Sequence, residues 1–272
     1  MSRSMRVRAE LATDSGFAPG YDAVMGRWSR LMAARFLRWL SAPPQQRWLD
    51  VGCGTGALTE AILQHAAPSM VCGVDPQAEF VSRARAVLTD SRCRFIVGEA
   101  EFLPKELESF DVTVSALMLN LLANPADGLA EMIRVTRPGG RIASYLWDFA
   151  RGMQLARYFW DAAIEFDPVA ATLDQGRCYP LCHPDRLREL FVGSELVAVD
   201  VQPLEVATVF RNFDDYWLPL ETGYGRATDY IASLVPEHRD RLRERLRQVL
   251  PTRTDDSIAL TARAWAIVGR RQ

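Results

Sequence analysis

The runs of apolar residues ending at Val51, Asp75, Val97, Ser115 and Trp147 are short and nearly continuous. Each reads as a buried strand. Between them lie stretches with helical spacing: one from Ala57, one from Gln77 to Leu88 and one from Asn124 to Arg134. Strand and helix in alternation predict βαβ units, and therefore an α/β fold, doubly wound around a mostly parallel sheet. Ligands of such sheets sit beyond the carboxyl ends of the strands. Asp50, Asp75, Glu99 and Ser115 all fall at those ends, so the pattern predicts that they converge.

Ahead of the first strand, apolar residues recur at Val24, Trp28, Leu31, Met32, Phe36, Trp39 and Leu40. That spacing predicts a helix over residues 21–40, which Ala42-Pro43-Pro44 ends. Residues 1–20, broken by Asp14-Ser15-Gly16 and Pro19-Gly20, read as a flexible lead-in. Beyond Trp147 the pattern loosens. A helix is expected over Pro184 to Phe191, a strand over 195–201 and a last strand over 258–268. Residues 150–183 and 212–251 read as helical cap insertions in one unit spanning 21–268. In the second insertion, Leu242, Leu246, Val249 and Leu250 form an apolar stripe, which suits a lid over a substrate pocket.

Composition narrows the function. The chain has 272 residues, of which 49% are hydrophobic and 24% charged, with a net charge of −2. It can bury a sizeable core, and it lacks the basic field of a nucleic-acid binder. No apolar run is long enough to span a bilayer. The Arg-rich start, Met1 to Glu10, has no secretory apolar core. Five scattered cysteines argue against a disulfide framework and suit a reducing, cytoplasmic setting. The sequence carries no signal for an oligomeric state.

The chemistry is concentrated in Arg47-Trp48-Leu49-Asp50-Val51-Gly52-Cys53-Gly54-Thr55-Gly56-Ala57-Leu58. This is a strand, a glycine turn and a helix start. Glycine permits positive φ and keeps no Cβ between backbone and ligand, and the helix N-terminus faces the same space. Gly52-x-Gly54-x-x-Ala57 also fits the dinucleotide-binding fingerprint, with Asp75 near the expected distance, so an NAD-dependent oxidoreductase is one reading. Asp50 opposes it. A carboxylate just before the first glycine repels a pyrophosphate and suits a cation.

In this respect the segment closely resembles the first motif of class I S-adenosylmethionine (SAM)-dependent methyltransferases. SAM carries a sulfonium and an α-ammonium and no phosphate. Further segments follow in the same order: Val71-Cys72-Gly73-Val74-Asp75, Phe95 to Pro104, Phe110 to Ser115, and Arg137-Pro138-Gly139-Gly140-Arg141-Ile142-Ala143. The resemblance runs from about Tyr21 to Trp147, and the order of the motifs carries it. It is similar in particular to the broad bacterial small-molecule group that includes the ubiquinone/menaquinone C-methyltransferases.

The resemblance implies a seven-stranded, Rossmann-like sheet closed by an antiparallel hairpin, with SAM as cofactor. It implies that Gly52, Gly54 and Gly56 wrap the cofactor and that Asp75 accepts from the ribose hydroxyls. Asp75 with Pro76 also reads as a helix start. Glu99, where many relatives have Asp, would accept from the adenine amino group, and the Ala100 N–H would meet a ring nitrogen. Glu99 read without the resemblance is a strand-end surface acid. Tyr21 and Arg27 would hold the SAM carboxylate, or Arg27 is a solvated helix face and Trp28 is packing. Ser115 completes the set.

The acceptor is expected to be a small molecule. Phe159, Trp160, Phe166, Tyr179, Phe210, Tyr216, Trp217 and Tyr224 suggest an apolar or aromatic one if they face inward; otherwise they are the core of the cap. No catalytic residue stands out, because methyl transfer needs a base only when the acceptor must lose a proton. His183 is the candidate base, with a loop or cap role as its alternative. Cys178, Cys182 and His183 share one loop, yet three ligands at this spacing do not close a zinc site, so no metal is expected. A non-catalytic SAM-binding protein would show the same binding residues.

Overall fold

The computed structural model describes residues 26–107, 109–223 and 225–272. Tyr21 and Tyr224 lie outside them. Among the described residues the chain runs α1 (Arg27–Leu40), β1 (Arg47–Val51), α2 (Ala57–His65), β2 (Met70–Asp75), α3 (Ala78–Val87), β3 (Cys93–Val97), β4 (Phe110–Ala116), α4 (Pro125–Val135) and β5 (Thr136–Trp147). It continues with α5 (Gln154–Phe166), the short α6 (Gln175–Cys178), α7 (Pro184–Gly193), β6 (Val197–Phe210), α8 (Phe213–Thr222), α9 (Arg226–Ser233), α10 (Pro236–Val249) and β7 (Ile258–Arg270).

The seven strands form one sheet in the order β3-β2-β1-β4-β5-β7-β6. β1 to β5 are parallel, with Leu49 beside both Cys72 and Thr113. β7 runs antiparallel between β5 and β6. The strand order turns back at β1, so β1 and β4 leave their carboxyl ends on either side of a crevice, the usual ligand position in open sheets.

Alternation within each strand sorts side chains to the two faces. Trp48, Val112, Val114, Tyr145 and Trp147 join α1, α2, α5 and the helices after β6 in one hydrophobic core. Leu49, Val51, Cys72, Val74 and Ile142 join α4 and α7 in the other. Asn124 caps α4, accepting from the Ala126 N–H at 3.2 Å, with Pro125 at its first position.

Two elements differ from the sequence reading. β6 extends to Phe210, well past 201, and pairs with β7 from Val197↔Arg270 to Phe210↔Ile258. It is an edge strand with few buried positions, so its apolar alternation is weak. Pro203 is tolerated there because an edge strand has one side free of ladder bonds. The cap of α3 is Gln77 rather than Asp75, because Gln77 is still extended and the helix begins at Ala78.

The helices between β6 and β7 are built into the first core. Leu242, Leu246 and Leu250 of the predicted stripe are buried, and α10 packs on α5. Tyr216 and Trp217 are fully buried. The Tyr216 hydroxyl donates to the Leu155 carbonyl at 3.1 Å, and the Trp217 ring stacks on Phe213 at 6.2 Å between centroids. Phe159, Trp160 and Phe210 are buried in the same core. These aromatics take the packing alternative. Phe166 is exposed, and Tyr179 is half-buried.

Candidate active site

The site starts where β1 ends. Gly52, Gly54 and Gly56 all hold positive φ, at 74°, 54° and 97°. The Gly52 and Cys53 N–H groups donate to the Val74 carbonyl at 2.8 and 3.0 Å, which lashes the turn to the end of β2. The three glycines answer to different constraints. A Cβ on Gly52 would meet Met118 Cγ at 2.5 Å, and one on Gly56 would meet Leu88 Cδ1 at 2.7 Å. A Cβ on Gly54 meets nothing within 4 Å. The first glycine is therefore constrained by packing on Met118 and the third chiefly by its φ of 97°, while the second borders open space.

Asp75 connects this turn to the next strand. Its Oδ2 accepts from the Gly54 N–H and its Oδ1 from the Gln77 N–H, both at 2.9 Å. Each carboxylate oxygen keeps further acceptor capacity. Burial pushes the Asp75 pKa up, and the two amides pull it back down.

Asp50 lies behind the turn, 0% exposed. Thr59, in the first turn of α2, donates to its Oδ2 at 2.7 Å. Its Oδ1 is buried with no hydrogen-bond partner. Burial raises the Asp50 pKa to about 7, against the Thr59 bond that lowers it, and the nearby Asp75 raises it further. Two desolvated acids beside one glycine turn favour a cation and disfavour a pyrophosphate. The N-terminus of α2 opens at the same place, with no side chain capping it.

The end of β3 is drawn in by the Gly98 N–H, which donates to the Asp75 carbonyl at 3.1 Å. Glu99 follows and is exposed, while Ala100 is buried. This short segment is anchored to α4: the Leu103 N–H donates to Glu131 at 2.9 Å, and Arg134 donates to the Leu103 carbonyl at 3.1 Å. Pro76 lies between Asp75 and the Gln77 cap. The structure thus brings Asp50, the three glycines and Asp75 together directly, with Glu99 and Ala100 on the adjoining strand end.

The remaining candidates are engaged elsewhere. Arg27 forms an ion pair with Asp215 of α8 at 3.3 Å and lies 4.0 Å above the Trp28 ring. Trp28 is packed against Phe210. The Ser115 hydroxyl is buried between β4 and β5, donating to Ser144 at 2.9 Å. His183 is the N-cap of α7; its Nδ1 accepts from the Asp185 N–H at 3.4 Å, the cap role given as its alternative. Cys182 beside it is buried, and burial pushes its thiol up to about 12. Thr59 and Met118 were not singled out in the sequence. The available signal for Thr59 was a hydroxyl in the first turn of α2, beside Ala57 and Leu58.

Known proteins resemble this chain in sequence over part of its length and in fold over most of it. Residues 49–144 match the model of the methyltransferase domain family. A ubiquinone/menaquinone biosynthesis C-methyltransferase of Dinoroseobacter shibae is 36% identical over 126 residues, covering 44% of this chain and 50% of that protein. A 24-methylenesterol C-methyltransferase of Oryza sativa is 35% identical over 123 residues, covering 44% of this chain and 34% of that protein. The chain therefore spans half the length, or less, of these relatives. A phosphoethanolamine N-methyltransferase of Haemonchus contortus, solved with SAM, has a similar fold: TM-score 0.60 at 16% identity, covering 97% of this chain and 59% of that one.

The fold and the glycine turn are those of a Rossmann-like class I methyltransferase. Within that fold, residues 49–144 are the part that matches the methyltransferase domain family.

Proposed function

We propose that this protein transfers the methyl group of SAM to a small-molecule acceptor and releases S-adenosylhomocysteine (SAH). One observation carries the reading: a buried, unpartnered Asp50 oxygen lies behind a turn whose middle glycine borders open space. Those residues fit a ligand that is cationic, phosphate-free and closely wrapped by backbone. Asp50 faces the cationic end, Gly52 to Gly56 supply the wrap, and Asp75 accepts from the ribose. Glu99 and the Ala100 N–H read the adenine. When bound, SAM supplies an electrophilic methyl on a sulfonium.

The chain's own contribution is alignment and exclusion of water. Proximity and orientation alone can account for roughly 7–11 kcal/mol of the barrier. The NAD reading fails on Asp50, because a pyrophosphate would face a buried acid. The arginines of α10 support a small-molecule partner over a nucleic acid: Arg239, Arg243, Arg245 and Arg247 pair with Glu221, Asp214, Glu165 and Asp214, and Arg241 covers Phe166. All five cysteines are unpaired, which supports a cytoplasmic setting. The helices between β6 and β7 serve as a cap that controls acceptor access.

Calorimetry of the full chain with SAM, SAH and NADH tests the reading. One site per chain for SAM and SAH, with no heat from NADH, is expected. Folded protein that binds neither SAM nor SAH would overturn it.

A further inference from the structure

Beyond the carboxyl end of β5 lies a cleft of about 660 Å³, within the size range of small-molecule sites. Its walls are the loop after β5, carrying Ala150 and Arg151; the α5 residues Arg157 and Asp161; and the segment from Asp174 to Arg177. β5 is two strands from β1 in the sheet, so the strand ends that carry the cleft and the glycine turn are about 10 Å apart. The proposed nucleoside contacts, Asp75 and Glu99, lie on the other side of β1, at the ends of β2 and β3. The cleft is therefore on the side left for the acceptor.

Its charge is unevenly satisfied. Arg157 and Asp174 form a closed pair, with contacts of 2.8 to 3.0 Å. Arg157 also bonds Asp161 and the Phe149 carbonyl, both at 3.0 Å. Both acids of the cleft are thereby used. Arg151 and Arg177 are exposed, and among the described residues neither guanidinium has a hydrogen bond or an ion pair. The loop that presents Arg151 is itself fixed. Buried Asp148 accepts from the Arg151 N–H at 3.1 Å and is ion-paired to Arg263 of β7 at 2.7 Å. Two unengaged guanidinium groups on a held frame suit a phosphate or carboxylate, which arginine binds in fork geometry.

We infer that this cleft holds an anionic group of the methyl acceptor through Arg151 and Arg177, an inference that rests on the proposed methyl transfer. It changes the expected acceptor. Five of the aromatics that suggested an apolar ligand, Phe159, Trp160, Phe210, Tyr216 and Trp217, are core, and the unengaged side chains at the rim are cationic.

The test is calorimetric titration of the full chain with phenyl phosphate, benzoate and phenol, each with and without saturating SAH. At least one of the two anions should bind tenfold or more tighter than phenol. Arg151→Gln with Arg177→Gln, both exposed substitutions, should abolish that preference while SAH affinity stays within about threefold. Equal binding of all three probes, or a preference that survives the double variant, overturns the subsite. A double variant that loses SAH affinity assigns the arginines to the cofactor and overturns it as well. SAH that never binds overturns the cofactor reading and with it the acceptor role of the cleft, whereas loss of anion discrimination alone overturns only the subsite.

Discussion

The two halves of this chain use buried polar groups in opposite ways. In residues 47–147 the polar groups at the strand ends are held by backbone and remain open to more: Asp75 binds two amides and Asp50 keeps one oxygen without a partner. In residues 148–257 several of the buried polar groups are closed among themselves. Arg157 is shared by Asp174, Asp161 and a carbonyl, the Tyr216 hydroxyl is taken by Leu155, and the Trp217 indole is taken by Glu221 at 3.0 Å. The lesson is that an acid with acceptor capacity left over at a strand end suits a ligand, and a set of charges that satisfies itself suits a joint.

The largest expected effect is on a joint. Trp217→Ala removes a fully buried ring and should destabilise the fold by about 3–5 kcal/mol, read by urea unfolding. SAM affinity, measured where the variant is still folded, should change by less than about tenfold. A hundredfold loss of SAM affinity in folded Trp217→Ala would erase the division between the halves.

Asp75→Ala should do the reverse. A hydrogen bond to a charged group is worth about 1.5–3 kcal/mol, so two ribose contacts predict a SAM affinity lower by about a hundredfold or more, with the secondary structure retained. Calorimetry beside circular dichroism checks it, and unchanged affinity would remove β2 from the site.

The glycines sharpen the comparison within the turn. Gly52→Ala drives a Cβ into Met118, so overpacking predicts about 1–3 kcal/mol of lost stability. Gly54→Ala, with space around it, should cost less stability. Gly54→Val should weaken SAM more than Gly54→Ala does. Equal thermal shifts for Gly52→Ala and Gly54→Ala would contradict the packing argument.

The smallest effect is a pH dependence. The Asp50 pKa is raised in the folded state to about 7, so the native protein holds that proton more tightly than the unfolded chain does. Stability of the free protein should therefore fall as pH rises from about 4 to 7 through this group. A cation at Asp50 needs the carboxylate, so SAM affinity should rise, by roughly tenfold per pH unit below 7 (about 1.4 kcal/mol), and level off above it. Asp50→Asn should flatten both slopes. An affinity that is flat across pH 6 to 8 in the unaltered protein would separate Asp50 from the cation.

Most of the first half was legible because its chemistry is local. Three glycines in five residues need positive φ, and the acids before and after them end strands whose apolar runs are unmistakable. The second half was legible only in outline. Arg27 looks like a free helix-face arginine until Asp215, 188 positions away, is folded beside it. The cap aromatics have the same spacing whether they line a pocket or fill a core, and only the packing of α10 on α5 decides between the two. β6 was read nine residues short at its end because an edge strand with few buried positions lacks apolar alternation.

The placement of β7 between β5 and β6 also sets an order of events during synthesis. β6 pairs with β7 and with no other described strand, so it has no place in the sheet until residues 258–270 have been made. The ribosome needs a few seconds for the roughly fifty residues from Phe210 to Ile258, at about 5–20 residues per second. For that interval β5 presents an unpaired edge, the kind of surface on which chains stick to one another. The half that carries the proposed SAM site can be complete by then. On that proposal the nascent protein should be able to hold SAM before its sheet is closed, and a ligand present at that stage would steady the half that waits.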